Sequence, residues 1–302
     1  MRSYKLRFGE LMNFINILET ASRELSHIPQ RVHVTLEYLP SLPMADSENY
    51  FHRVGSKGCG ADRYWIPWTE QLGAWVDADG CNVTIVVREA SEIIEISGSL
   101  TIGLTSVIAG ACLNLQGHVA VHANAVSLDG LAIAFVGYSG LGKSTLSAYC
   151  ASRGAGFITD DVLVVDADGL VHPGNLRLKL YPHTGKSLGL DASEETDYKI
   201  YYNPGQLGAT LQEQPVPLGI IYLLAESPDE RIYSLALSPS QAVFDLLTHS
   251  YYASVLIPSN PSLLDAYIRL VTQAPVRKLF YPRNFSMLPQ VYDFLLEEIH
   301  QL

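Results

Sequence analysis

The chain has 302 residues, of which 48% are hydrophobic and 17% are charged, and it contains no low-complexity tract. This composition predicts a folded globular protein and excludes extended disorder. The formal net charge of −11 argues against a general nucleic-acid-binding protein, because phosphate contacts require clustered Lys and Arg. The four cysteines are widely spaced without a C-x-x-C pair, so we expect reduced thiols at Cys59, Cys81, Cys112 and Cys150.

No segment of the sequence reads as a targeting or membrane-spanning element. The N-terminus lacks an apolar run followed by a small-residue cleavage site. The most apolar stretch, residues 100–113, is interrupted by Thr, Ser and Gly, and it is shorter than the ~20 residues that cross a bilayer. We therefore expect a cytoplasmic protein that does not bind membranes.

The first hundred residues are predicted to be rich in strands. Apolar residues recur at three- and four-residue steps over residues 10–26, which predicts an amphipathic helix. Residues 40–80 are rich in Gly, Pro and aromatics, which predicts loops and short strands. Further strands are predicted at residues 32–38, 81–87 and 92–96, and a buried helix at residues 100–115. We expect a β-rich N-terminal region, residues 1–99, followed by a second domain, residues 100–302.

Two hairpins are predicted in the middle of the chain. Strand-like runs at residues 118–128 and 131–136 are separated by Asp129-Gly130, a strong hairpin signal. A second hairpin is predicted from residue 162 to residue 172 across Asp168-Gly169. Other elements predicted here are a helix at 143–153, short strands at 157–158 and 176–181, and an irregular or mobile segment at 183–208.

The last third of the chain predicts one buried strand surrounded by helices. Residues 216–225 form a continuous apolar run, as expected of a central strand buried on both faces. Ser238 is followed by Pro239 and an apolar helical face, a pattern typical of a helix start. Helices at 262–273 and 288–302 flank a predicted strand at 276–280. The fold class that we expect is α/β.

Residues 137–144 read G-Y-S-G-L-G-K-S and satisfy the pattern G-x-x-x-x-G-K-[S/T] in full. A predicted strand precedes the motif and a predicted helix follows it, so its backbone N–H groups can surround a phosphate at the helix N-terminus. Lys143 would supply charge to the β- and γ-phosphates, and the Ser144 hydroxyl is suited to Mg²⁺. The nucleotide-binding residues predicted from this P-loop are Gly137, Ser139, Gly140, Leu141, Gly142, Lys143, Ser144 and Thr145.

Two further features flank the P-loop. Asp160-Asp161 follows a predicted strand, 17 residues beyond Lys143. One carboxylate of such a pair can coordinate Mg²⁺ while the other accepts a proton from an attacking hydroxyl, although Asp-Asp pairs are also common in turns. His122 lies on the strand predicted to pair with the P-loop strand. Its imidazole could tune the carboxylates, although a single His on a strand is more often structural.

His122, the P-loop and Asp160-Asp161, at these spacings, resemble the catalytic domain of bacterial HPr kinase/phosphorylase. The resemblance implies that Asp160 is the general base toward a serine hydroxyl and that His122 is its partner. It implies that Asp161 is an electrostatic or metal-binding neighbour and that Ser144 is a ligand of Mg²⁺. The implied fold is related to that of phosphoenolpyruvate carboxykinase, a P-loop mixed sheet with flanking helices, with ATP and Mg²⁺ as cofactors.

The sequence departs from that family in two respects. Thr145 stands where HPr kinases carry Glu, and their longer C-terminal signature segments are missing, so phosphorylation of HPr itself is not implied. The pattern looks closer to a shorter HPr-kinase-like group associated with peptide modification, some of whose members phosphorylate a C-terminal serine of lasso peptide precursors. The similarity covers about residues 100–300, and it is carried by residues 122–126, 137–144, 159–161, 176–178, 217–218 and 276–283.

Additional charged and aromatic residues are candidates for the site. Arg177 and Lys179 lie two apart on a predicted strand and therefore share a face. They could neutralise the transferred phosphate or hold an acidic peptide end, or they could form a solvated basic face. Weaker candidates, each with a plain structural alternative, are Arg277 and Arg283 for phosphate, Glu226 for the metal shell, and Trp65, Trp68 and Trp75 for a peptide groove.

Three functions are compatible with these residues. The first is an ATP-dependent serine kinase whose partner is a peptide or protein with an acceptor Ser. The second is a nucleotide-dependent regulator or ATPase without a peptide acceptor, favoured by Thr145 in place of Glu. The third is a small-molecule kinase. HPr kinases form hexamers, and a homo-oligomer is compatible with the resemblance, but none of the residues that carry the resemblance transfers that interface.

Overall fold

The computed structural model describes residues 33–38, 52–54, 63–67, 72–87, 103–174, 176–191 and 198–302. These residues divide into two compact units. The first contains the described residues up to Gly117 and the segment Tyr251–Pro261, and the second contains His118–Ser250 and Ser262–Leu302. The domain division between residues 99 and 100 stays a prediction. The helix predicted at 10–26, the strand predicted at 92–96 and Trp68 lie outside the described residues.

The first unit is built on a five-stranded sheet with the order β1-β5-β4-β3-β2. β1 and β5 are parallel, and the other neighbouring strands are antiparallel. The strands predicted at 32–38 and 81–87 are thereby confirmed, as are short strands within 40–80. The five strands are β1 (His33–Tyr38), β2 (His52–Val54), β3 (Arg63–Pro67), β4 (Leu72–Asp77) and β5 (Asn82–Val87).

Two tryptophans form part of the core of this first unit. Trp65 and Trp75 are paired across β3 and β4 with their ring centroids 4.9 Å apart, and both pack with Val86. The Arg63 guanidinium covers the Trp75 ring at 4.5 Å. Gly73 lies so close to the Trp65 ring that a Cβ at this position would overlap it. Trp65 and Trp75 therefore serve as core residues rather than as the walls of a peptide groove.

A buried helix completes the first unit, as the sequence predicts for residues 100–115. A π-helical stretch, Gly103–Ile108, continues into α1 (Ala109–Leu115), all of whose residues are buried. Gly110 packs against the Tyr251 ring, and Asn114 Nδ2 donates to the Tyr251 carbonyl at 2.7 Å. These contacts join α1 to the segment that carries the short helix Ala253–Leu256. No helix among the described residues is long and apolar enough to cross a membrane.

The second unit is an α/β fold built on a large mixed sheet with the order β10-β9-β6-β7-β13-β15-β14, in which β8 also pairs with β6. β7, β13 and β15 are mutually parallel, and the remaining pairings are antiparallel. The strands of this unit are β6 (Val119–Leu128), β7 (Leu131–Val136), β8 (Gly156–Thr159), β9 (Val162–Val165), β10 (Leu170–His172), β11 (Leu178–Leu180), β12 (Ile200–Tyr202), β13 (Val216–Glu226), β14 (Tyr233–Ala236) and β15 (Val276–Tyr281).

The local signals that predict hairpins and the central strand are confirmed. β6 and β7 are joined by Asp129 and Gly130, both of which have positive φ (50° and 79°), as a tight two-residue turn requires. β9 and β10 form the second predicted hairpin. β13 lies between β7 and β15 and is buried along most of its length, because its apolar run faces protein on both sides.

Helices cover the sheet and close its core. The apolar faces of α2 and α6 pack against β7, β13 and β15 in one continuous cluster that includes Phe135, Tyr222 and Leu295. Ser238 caps the N-terminus of α4 by accepting the Gln241 N–H, as its position in the sequence predicts. The helices of this unit are α2 (Lys143–Ser152), α3 (Pro182–Ser187), α4 (Pro239–Thr248), α5 (Pro261–Gln273) and α6 (Leu288–Ile299).

The prediction of an irregular or mobile segment at residues 183–208 is wrong for its described part. α3 covers the start of this segment, and β12, near the end of the segment, pairs with β11, which precedes it. Tyr202 is buried, and its ring lies directly against Gly185, where a side chain would not fit. Contacts between residues far apart in sequence create these elements, and the polar local composition gave no sign of them. The short edge strand β14 is likewise absent from the sequence prediction.

Candidate active site

The pairing of β6 brings together residues that are far apart in sequence. Ala123 lies opposite Val136 in the β6–β7 ladder, which puts His122 beside Gly137, the first residue after β7. On its other side, β6 pairs His122 with Val162, and the Ala123 N–H donates to the Asp161 carbonyl at 3.1 Å. One strand therefore sets His122, the 137–144 segment and the Asp160-Asp161 pair at the same edge of the sheet.

The 137–144 segment forms a loop that leads from β7 into α2. Gly140 and Gly142 have φ of 88° and 92°, a conformation that residues with a Cβ rarely adopt. Tyr138, Ser139 and Gly140 are exposed. The first hydrogen bond of α2 runs from the Leu146 N–H to the Gly142 carbonyl at 2.9 Å, and no described side chain caps the helix. The N–H groups of its first turn are therefore available to an anion.

The ammonium group of Lys143 lies against this loop. Its Nζ donates to the Gly137 carbonyl at 2.5 Å and lies 3.4 Å from the Tyr138 carbonyl. The residue is only 6% exposed. Burial lowers the pKa of the Lys143 ammonium, and the nearby Asp161 carboxylate opposes this change by favouring the charged form. A cation placed at the loop in this way can offset charge on a triphosphate.

Tyr281 fixes the loop from the end of β15. Its Oη donates to the Leu141 carbonyl at 2.5 Å. The same hydroxyl lies so close to Gly142 that a Cβ there would overlap it. Tyr281 is not among the site residues predicted from the sequence. A signal was available, because the carboxyl ends of parallel strands meet at one edge of a sheet, and Tyr281 ends a strand parallel to the one that enters the loop.

Asp160 is a buried carboxyl held by three donors. Its Oδ1 accepts from Asn124 Nδ2 at 2.5 Å and from the Asp161 N–H at 3.1 Å, and its Oδ2 accepts from the Lys179 N–H at 2.8 Å. Burial, followed by the charge of Asp161, raises the pKa of Asp160 to about 7, although the bonds from Lys179 and Asn124 act against this rise. A carboxyl with a pKa in this range can exchange a proton near neutral pH.

Asp161 projects into a different environment. Its backbone is left-handed, with φ of 69°, and its side chain is 24% exposed. Its Oδ1 lies 3.9 Å from His122 Nδ1. Burial and the charge of Lys143 lower the pKa of His122, whereas Asp161 raises it. The His122 ring therefore lies near the Asp161 carboxylate. The roles that the sequence resemblance assigns to His122, Asp160 and Asp161 stay predictions.

Asn124 and Lys179 support the site through hydrogen bonds to Asp160, a role that was not predicted for them from the sequence. Asn124 lies two residues after His122 on β6 and is fully buried. Lys179 belongs to β11, and it is its backbone N–H that bonds Asp160, while its ammonium lies over the Tyr201 ring at 5.5 Å. Arg177 precedes β11 and is exposed, so its part in catalysis stays a prediction.

His249 is a second histidine near the loop that sequence reasoning missed. It follows α4, and its carbonyl accepts the His122 N–H at 2.7 Å. Its ring meets the Tyr138 ring edge to face, with centroids 4.8 Å apart. Burial and the charge of Lys143 lower the pKa of His249. Its neighbours in sequence carry no motif, so nothing in the sequence indicated this position.

The weaker candidates are engaged in ion pairs. Arg277 Nε lies 3.2 Å from Glu298 Oε2, and Glu298 also accepts from Ser234 Oγ at 2.8 Å. Arg283 and Glu226 are joined at 3.6 Å on the surface. Arg277 therefore has a structural partner on α6 that accounts for its charge. The pairing of Glu226 with Arg283 likewise accounts for both charges without a metal.

The residues proposed for Mg²⁺ fit a metal that is shared with a nucleotide. Ser144 and Asp161 are both partly exposed, and Ser144 lies in the first turn of α2 beside Lys143. Across the described ranges, no three His, Cys, Asp or Glu side chains converge as they would in an all-protein metal site. Mg²⁺ commonly takes only one or two protein ligands and completes its shell with phosphates and water. The donor set therefore suits Mg²⁺ bound together with a triphosphate.

Comparisons with known proteins gave structural similarity only. No family model matches the chain, and no curated protein matches it. Among solved structures, 38 chains are similar to it. One of them is the HPr(Ser) kinase/phosphatase from Coxiella burnetii, which is 14% identical, with a TM-score of 0.35 over 60% of this chain and 97% of that chain.

Proposed function

We propose that this chain is an ATP-dependent kinase that transfers the γ-phosphoryl group to a serine hydroxyl of a peptide or protein. The observation that carries the proposal is the placement of His122 and Asp161 beside the G-x-x-x-x-G-K-S loop by a single strand, β6. A phosphate cradle alone does not define a reaction. Carboxylates and an imidazole at its mouth supply the proton chemistry that a hydroxyl acceptor requires.

The loop provides the phosphate-binding half of the site. The glycines at 140 and 142 open the backbone, and the first turn of α2 presents its N–H groups, a combination that favours bound phosphate. Lys143 adds a fixed positive charge at the same point. Ser144 and Asp161 are the residues that would hold Mg²⁺, and the metal would offset charge on the β- and γ-phosphates. Gly137, Ser139, Leu141 and Thr145 complete the proposed nucleotide contacts.

The carboxylate pair provides the acceptor half. As the serine oxygen bonds to the γ-phosphorus, the bond from phosphorus to the ADP oxygen breaks, and the serine proton must leave. The sequence resemblance assigns this proton to Asp160, and a pKa raised to about 7 suits a base at neutral pH. Arg177 is proposed to offset charge on the transferred phosphoryl group. It directly precedes β11, the strand whose Lys179 N–H donates to Asp160.

The acceptor proposed here is a peptide, and the C-terminal serine of a lasso precursor peptide is the specific candidate. The support for this substrate is the sequence pattern alone, and a cytoplasmic location is part of the same proposal. Thr145, which replaces the Glu of HPr kinases, lies in the first turn of α2 and is partly exposed. A neutral hydroxyl at this position leaves the metal with one carboxylate fewer than in those enzymes.

Labelled ATP tests the proposal directly. The chain is incubated with [γ-³²P]ATP, Mg²⁺ and single-serine peptides, including precursor peptides that end in serine. Label that moves to peptide serine in the wild type, and that disappears with Lys143→Ala, supports the kinase. Binding of ATP without any labelled peptide or protein contradicts it.

A regulatory ATPase is the second candidate. The burial of Asp160, which is 1% exposed and already accepts three hydrogen bonds, favours it, because an acceptor hydroxyl needs access to its base. In that case water would be the acceptor, and the label in the same experiment would appear as free phosphate only. The two functions are therefore distinguished by the product that carries the label.

A further inference from the structure

We propose that Tyr281 is a positioning residue that holds the peptide unit between Leu141 and Gly142, so that the Gly142 N–H faces the bound phosphates. The inference rests on the nucleotide-binding part of the proposed function. It does not depend on which acceptor receives the phosphoryl group. Nothing in the sequence resemblance assigns a role to Tyr281.

The contact between Tyr281 and the loop is short and buried. Tyr281 Oη donates to the Leu141 carbonyl at 2.5 Å, and Tyr281 is 3% exposed. Burial raises the pKa of the Tyr281 hydroxyl, which therefore stays protonated and remains a donor. The backbone of Tyr281 is held in the sheet, because β15 is paired with both β13 and β14. The hydroxyl is thus fixed by the sheet rather than by the loop that it contacts.

Because the peptide group is planar, this hydrogen bond fixes the direction in which the 141–142 peptide group points. The described chain contains no cis peptide bond, and in a planar trans peptide the C=O and the following N–H point to opposite sides. Because Tyr281 binds the Leu141 carbonyl on one side, the Gly142 N–H is directed to the other. The inverted peptide would present a carbonyl oxygen to the phosphates, which would repel them.

The loop needs such an external constraint because of its glycines. Gly142 has φ of 92°, and glycine populates positive and negative φ with similar ease, so the 141–142 peptide can rotate at little cost. Gly140 gives similar freedom to the preceding peptide, between residues 140 and 141. The Tyr281 bond favours one orientation before the ligand arrives, and a preformed site loses less conformational entropy on binding.

The variant Tyr281→Phe removes the hydroxyl and keeps the ring. Loss of one well-formed hydrogen bond is expected to weaken binding of ATP and of inorganic tripolyphosphate by about tenfold. Binding of adenosine, which has no phosphate, is expected to stay unchanged. Isothermal titration calorimetry with the three ligands measures these affinities. Equal weakening of adenosine and tripolyphosphate, or unchanged affinity for all three, overturns the inference.

Tyr222→Phe is the matched control. Tyr222 is also a buried tyrosine of the same sheet, and its hydroxyl contacts Glu298 at 3.3 Å instead of the loop. This variant is expected to bind tripolyphosphate like the wild type. If both variants weaken the binding equally, the effect of Tyr281 is on the sheet as a whole, and a specific role in orienting the loop is excluded.

A second measurement covers the case in which Tyr281→Phe does not fold. In the ¹⁵N-labelled wild type, the assigned Gly142 amide resonance is expected to shift strongly when tripolyphosphate is added, since its N–H gains a charged acceptor. A Gly142 resonance that stays in place while neighbouring loop amides shift overturns the inference. A wild type that binds tripolyphosphate but labels no peptide contradicts the kinase proposal and leaves this inference standing.

Discussion

Asp160 and Asp161 are adjacent in sequence, but their carboxylates lie in opposite environments. Asp160 turns inward to the Asn124 amide and the Lys179 N–H, whereas Asp161 lies 3.9 Å from His122 with a quarter of its side chain exposed. The left-handed backbone at Asp161 separates the two side chains. Substitutions at the two positions are therefore expected to affect different properties of the protein.

Asp160→Asn should abolish phosphoryl transfer while ATP still binds. The amide is isosteric but cannot accept a proton, and loss of a general base typically costs about 100-fold or more in rate. Single-turnover transfer of label and calorimetric ATP affinity, measured in parallel, separate the two effects. Asp168→Asn, in the exposed turn between β9 and β10, serves as the control. Undiminished transfer by Asp160→Asn would exclude Asp160 as the base.

Transfer should also depend on pH around neutrality. The base must be deprotonated, and the pKa of Asp160 is raised to about 7, so the rate is expected to rise as the pH increases from 6 to 8 through about 7. A rate that is flat over this interval, with ATP saturating, would contradict an Asp160 base. The measurement is the pH dependence of the single-turnover rate.

The same raised pKa has a consequence for stability. Between the ordinary aspartate pKa of about 4 and its folded value, the folded state binds more protons at Asp160 than the unfolded state does. The stabilisation of the folded state by the protonated Asp160 is therefore fully present at low pH, and it is lost as the pH rises through about 7. Chemical denaturation at pH 5 and pH 8 should show a smaller pH dependence in Asp160→Asn than in the wild type. An identical dependence in both would be inconsistent with a raised pKa.

Asn124→Ala should displace the pH profile of transfer upward. The Asn124 amide donates to Asp160 Oδ1 and favours its charged form, which lowers the pKa of Asp160. Without this donor the carboxyl holds its proton to higher pH, so the midpoint of the rate profile moves to higher pH. An unchanged midpoint would show that the bond does not act on the proton equilibrium. Ser127→Ala, later on the same strand, is a suitable control.

Lys143→Ala should weaken ATP binding as well as transfer. Lys143 is buried against the loop, and its Nζ bonds two loop carbonyls, so its loss removes both a charge and a support of the cradle. The expected loss of ATP affinity is about tenfold or more, since hydrogen bonds to charged groups contribute more than neutral ones. Lys278→Ala, exposed on β15, is the control for a general loss of positive charge. Equal effects of the two variants would point to net charge alone.

The parts of the fold with strong local signals could be predicted from sequence. Asp129-Gly130 indicates the β6–β7 hairpin, and the apolar run at 216–225 indicates the central strand. Both signals are local, because a tight turn and a buried strand each depend on residues that are adjacent in sequence. His249 and the Lys179 N–H reach the site only through contacts between distant segments. Such contacts depend on the strand order and register of the whole sheet, which the pattern of neighbouring residues does not show.

The two-residue turn at Asp129 and Gly130 determines more than the direction of the chain. It sets Leu128 opposite Leu131, and through the following pairs it sets Ala123 opposite Val136. A slip of one residue in this ladder would turn every side chain of β6 to the opposite face of the sheet, and His122 and Asn124 would both leave the site. The turn lies far from the loop along β6, yet it fixes the register that places His122 and Asn124 at the site.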